Sequence, residues 1–74
     1  MTKVVLESWR EGLQKVSLTK LQHEKLGISL LDSKTNTDLL LDDRIVILEI
    51  EDIEIAKEFL KQAERIGVNC KIIE

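Results

Sequence analysis

His23 and Cys70 are the one histidine and the one cysteine of this 74-residue chain, so a thiol nucleophile with its own base would have to be built from that pair. Such a pair needs the imidazole within hydrogen-bonding reach of the sulfur. The surroundings of the two residues argue against it. Cys70 alternates with Val68 and Ile72 in VNCKII, and in an extended chain these three side chains point the same way, which makes the thiol a small core residue. His23 falls among Lys15, Lys20 and Lys25, whereas Leu18, Leu21 and Leu26 recur three to five residues apart on the other side of the same stretch. The imidazole therefore belongs to an outer helix face. It reads there either as a docking residue whose charge changes near neutrality or as a solvated helix position. Gly12, Gly27 and Gly67 are isolated, so no glycine-rich phosphate loop is present. The acids of the last third lack EF-hand spacing and its turn glycine, and read as a solvated, self-paired helix face. The chain is expected to be non-enzymatic, with no catalytic residues, no metal and no cofactor.

What remains is recognition, and charge is its first clue. Residues 1–34 hold six Lys/Arg against four acids, while residues 35–74 hold five against ten, within a net charge of −3. The molecule should be dipolar, which can orient an encounter with a charged partner. Nucleic acid is disfavoured, because Trp9 and Phe59 are the only aromatic residues and the cations are outnumbered. The longest apolar runs, Leu39–Leu41 and Ile45–Leu48, fall far short of the ~20 residues of a membrane span. One cysteine forms no internal disulfide and no leader-like pattern opens the chain, so a cytoplasmic location is expected.

The elements that position these residues follow from spacing. Lys3 to Trp9 alternates as a strand, with Val4, Leu6 and Ser8 to one side and Val5, Glu7 and Trp9 to the other. After a turn at Arg10 to Gly12, KVSLTKLQHEKL reads as a helix stopped by Gly27, since glycine accepts the positive φ of a helix C-terminus. A second helix begins at Ser29, where Ser-Leu-Leu-Asp fits a capping pattern. Thr35, Asn36 and Thr37 are poor helix formers, so tertiary packing must hold that turn. Arg44 to Ile50 is the second strand, phased by Glu49: Val46, Leu48 and Ile50 face the core, Ile45 and Ile47 the outside. Asp52 caps a last helix in which Ile53, Ala56, Phe59, Leu60, Ala63 and Ile66 recur at three- and four-residue spacing. Glu54 with Lys57 and Glu58 with Lys61 form its exposed pairs. Gly67 ends it, and Val68 to Ile73 is the third strand. The expectation is one α+β domain over residues 1–74, a two-layer β-α-α-β-α-β sandwich whose three-stranded sheet carries its helices on one face.

The order strand, Lys-Val-x-Leu-x-Lys, Leu-Gly-x-Ser-Leu-x-x-Ser-Lys, Thr-Asp-x-Leu-Leu, strand, acidic helix, Gly, strand resembles the C-terminal domain of the acidic stalk protein of the bacterial large ribosomal subunit. Lys15, Val16, Lys20, Gly27, Leu30 and Lys34 fall without gaps on that family's corresponding residues. The resemblance covers nearly the whole chain as a pattern of short matches. It departs at Thr19, where the family usually has an aliphatic residue, at His23, where it has arginine, and at Ser29 and Leu31, where Gly and Lys are usual. The stalk protein's dimerising N-terminal domain and hinge have no counterpart in these 74 residues, so a stand-alone domain is implied. The resemblance further implies a basic, partly apolar surface of the first two helices that docks another protein, made of Lys15, Val16, Lys20, His23 and Lys34.

A second surface follows from strand phase. The sheet face left uncovered by helices would carry Val5, Ile45, Ile47 and Ile73, with Trp9 at its edge, where a solvated sheet normally shows polar residues. Such side chains would make an apolar patch of roughly 300 to 500 Å² and could pair with a second copy or another protein. Trp9 reads equally as an interface anchor or as packing under the strand-helix turn. A domain binding a small ligand is disfavoured, because no polar cluster converges on a pocket.

Overall fold

A computed structural model describes residues 2–73, and in it the six elements run β1 (Thr2–Trp9), α1 (Lys15–Leu26), α2 (Leu30–Leu41), β2 (Val46–Ile50), α3 (Ile53–Arg65) and β3 (Val68–Ile73). The architecture is the expected α+β layout. One antiparallel sheet has the order β2-β1-β3, so the first strand is the central one. Val4 pairs with Leu48 on one side and Ile72 on the other, and Leu6 with Val46 and Cys70. Paired residues share a face, so this register gathers the aliphatic side chains of all three strands beneath the helices. There Val4, Leu6, Leu48 and Val68 meet Leu18, Leu40, Ala56, Phe59 and Ala63 in a single core.

Each helix is stopped or started by local chemistry. Ser29 caps α2, its Oγ accepting from the Asp32 N–H at 3.1 Å, and Asp52 caps α3 by accepting from the Glu54 N–H at 2.9 Å. Residues 30–41 are thus helix, threonines and asparagine included. Gly67 has φ +108°, and a Cβ there would lie 2.9 Å from the Leu13 Cα. Only glycine lets the α3–β3 turn and the loop before α1 approach so closely.

Three details differ from the sequence-based expectation. β2 begins at Val46, leaving Arg44 and Ile45 in the connection that follows α2. Glu58 reaches across to Lys25 of α1 instead of pairing along α3 with Lys61. The third is a bulge in β1. Against β3 the register runs Leu6 with Cys70, then Ser8 with Asn69 and Trp9 with Val68, so Glu7 is an extra residue. Glu7 meets Lys71 at 3.4 Å and Ser8 accepts from the Asn69 amide at 2.9 Å, which puts both on the uncovered face. Beyond the bulge the alternation is reversed. Ser8 is therefore outward, and Trp9, opposite the fully buried Val68, leaves the sheet on the helix side.

Candidate interaction surface

α1 and α2 form an antiparallel pair turned at Gly27, which has φ +70°. The seam between them is polar. Gln22 is fully buried, and its Nε2 is shared among the Leu18 carbonyl (3.3 Å), the Ser33 carbonyl (3.2 Å) and Thr37 Oγ1 (3.1 Å). Asn36 Nδ2 donates to Gln22 Oε1 at 3.0 Å, and Thr19 and Thr37 share a hydroxyl contact of 2.9 Å. A buried amide must find partners on all sides, and here residues from both helices supply them. Poor helix formers at positions 35–37 are held because Asn36 and Thr37 serve that network. Ser33 Oγ is the exception, buried with no partner.

Above the seam lies a concavity of about 320 Å³ lined by Lys15, Val16, Thr19, Lys34, Thr37 and Asp38, with mostly apolar walls. Val16, at 65% exposure, is the aliphatic side chain at its edge. The structure therefore brings Lys15, Val16 and Lys34 together. It does not bring the whole predicted set together. Lys20 lies around α1, beside a separate depression between α1 and α3 with Leu21, Glu24, Gln62 and Ile66. His23 is turned onto the helix connection, its Nδ1–H donating to the Ile28 carbonyl at 2.7 Å, because a carbonyl can only accept. Its ring braces the α1–α2 turn. Lys25 is tied to Glu58. The groove gains an acid, Asp38, one turn from Lys34, so two cations and one carboxylate border it. Sequence spacing could have offered Asp38 and Thr37, at i+4 and i+3 from Lys34, once Lys34 was placed on a helix.

The uncovered sheet face differs more from expectation. Ile45 and Ile47 are 64% and 58% exposed and Ile73 is exposed, yet Val5, at 6%, is buried. Its register neighbours explain this: Ile47 flanks it on β2 and Lys71 on β3, and a lysine stem covers apolar surface while its ammonium stays in water. Lys3 separates Ile73 from Glu49 in the next row. With Val5 covered, Trp9 on the opposite side, and Lys3, Lys71, Glu7 and Glu49 interspersed, the expected contiguous patch is reduced to Ile45 and Ile47 with Ile73 apart.

Two further placements bear on chemistry. The Cys70 thiol is half-buried against the Leu60 carbonyl at 3.8 Å, and burial, then the Glu64 charge, push its pKa from 9.0 to about 11. It is a poor nucleophile at neutral pH. Arg10, a turn residue by sequence, clamps the far end of the molecule: its guanidinium donates to the carbonyls of Glu64 and Val68 and to Asn69 Oδ1. Nothing local in the sequence marks that role, since the partners lie 54 to 59 residues away. Among the described residues no group of three or more His, Cys, Asp or Glu is arranged to hold a metal ion, and no helix is long and apolar enough to cross a membrane. Compared with known proteins, the chain matches no protein-family model and no curated relative.

Proposed function

We propose that this chain is a non-enzymatic interaction module that docks a partner protein through the α1–α2 surface. The observation that supports the reading is Val16, an aliphatic side chain standing in solvent at the rim of an apolar concavity with Lys15 and Lys34 beside it. Exposed apolar surface bordered by two cations and a single carboxylate suits a partner segment that offers an apolar side chain among acids. The ribosomal-stalk-like layout suggested by sequence points to the same face, although Lys20 and His23 contribute less to it than the sequence pattern implied. A reducing, cytoplasmic setting fits a chain with one half-buried cysteine.

A photo-crosslinking residue in place of Val16, introduced in the native cell, should give a defined adduct that Lys15→Glu with Lys34→Glu abolishes while the fold is kept. Persistence of that adduct after the double charge reversal would overturn the reading. Exposure of Ile45 and Ile47 favours a second reading, a homodimeric or complex-forming subunit that uses the sheet. Ile47→Lys should then dissociate the assembly and leave the Val16 adduct intact.

A further inference from the structure

The two neighbours of α1 are attached to it by different means, and this difference has a dynamic consequence. α2 gives the apolar core one fully buried aliphatic side chain, Leu40; its other buried residues are Ser33 and Thr37. Leu30, Leu31 and Leu39 are exposed. α3 buries Ala56, Phe59 and Ala63 and packs Ile55 and Leu60 against the same core, as does Ile66 at its C-cap. α2 rests on α1, β1 and β2, whereas α3 rests on all three strands and on α1.

We propose that α2 comes away from α1 and the sheet across the Gln22–Thr37 seam and, twelve residues long with Thr35, Asn36 and Thr37 at its middle, unwinds once detached, while α1, α3 and the three strands remain folded. The hydrogen bonds of the seam are each replaced by one to water when it opens, so they resist separation far less than buried apolar area does. Ser33 Oγ, which has no partner inside, gains one outside. The connections at both ends permit the motion. Gly27 stands at φ +70° before α2, and the exposed run Asp42 to Ile45 follows it, with Asp43 at φ 61°. Asp43 is the left-handed residue of α2's own C-terminal cap, its N–H donating to the Leu40 carbonyl and that of Arg44 to the Leu39 carbonyl, both at 3.0 Å, so it constrains that end only while α2 is wound. In the open form Lys34, Thr37 and Asp38 depart while Lys15, Val16 and Thr19 stay, so the concavity exists only when the pair is closed.

Amide hydrogen exchange of the whole chain, followed residue by residue by NMR where exchange reports the opening equilibrium, tests this. Amides of Ser33 to Leu41 should exchange at least about tenfold faster than those of Phe59 to Ala63 and Val4 to Leu6. Phe59→Leu should speed the second group about tenfold and leave the α2 amides unchanged, because the open form keeps the packing of residue 59. Val68→Ala serves the same purpose should the first variant fail to fold. Equal protection of α2 and α3 in the unaltered chain would overturn the proposal, as would acceleration of the α2 amides in step with the rest in either variant.

Discussion

α1 has two sides, and they are built on different physics. Toward α3 and the sheet it presents Leu18, fully buried among Phe59, Ala63 and strand aliphatics, a contact that works through area and tolerates small shifts. Toward α2 it presents Gln22 and Thr19, whose bonds to Thr37, Asn36 and the Ser33 carbonyl require one register and reward no other. The apolar side supplies cohesion and the polar side supplies alignment. The concavity at Val16 sits over the aligned side, so its shape depends on hydrogen bonds more than on core packing.

The largest expected effect that could break this contrast is Phe59→Ala. It should destabilise the chain by ~3 to 5 kcal/mol, enough to unfold most of so small a domain. A urea midpoint shift corresponding to less than about half of that would mean α3 is not the main source of cohesion. Gln22→Ala removes the amide on which Asn36 and Thr37 converge and should cost about 1 to 3 kcal/mol. A neutral result would show that water replaces the seam at no penalty.

Cys70 probes the dry edge of the α3 side. Its folded pKa, about 11, is raised above the ordinary 9.0 by burial first and by Glu64 second, so the folded form holds its proton more firmly than the unfolded one. Stability from this group is whole below pH 9.0 and is lost as pH climbs toward about 11, a slope that Cys70→Ser should flatten in alkaline urea titrations. Ser33→Ala removes a buried hydroxyl that bonds to nothing and should be neutral or stabilising by up to ~1 kcal/mol. A loss of more than that would reveal a partner for the hydroxyl in solution. Smallest of all, Val16→Ala should change stability, followed by thermal unfolding, by no more than the ~0.5 kcal/mol typical of surface changes, since its side chain supports nothing beneath it.

The same contrast decides what was legible in the sequence. The inward faces of α3 and β2 could be read from the sequence, because Ile53, Ala56, Phe59 and Ala63 mark a helical stripe and Glu49 marks a strand phase. Area burial writes itself into sequence as periodicity. The α1–α2 pair could be bounded from Gly27 and the Ser29 cap, but not packed: the inward positions of both helices mix Leu18 and Leu40 with Gln22, Ser33 and Thr37, and no apolar period results. Lys15, Val16 and Lys34 were placed together, whereas Lys20 and His23 diverged because rotation about a helix is fixed by its neighbours. The bulge at Glu7 was out of reach as well. It exists only in relation to β3, some sixty residues on, and it sends Trp9 to the helix side and Ser8 to the other.

The order of strands in the sheet has a bearing on how the chain comes into being. β1 lies in the middle and precedes the other elements in the chain, yet both of its neighbours, β2 and β3, come only after α1 and α2. At about 5 to 20 residues per second, Val4 and Leu6 wait several seconds during translation before Val46 and Leu48 emerge, and longer for Cys70 and Ile72. Throughout that interval an aliphatic segment stands with two bare flanks, and Arg10 has nothing to grip. The residues of α1 and α2, next in the chain, are the parts of the molecule available to shelter it.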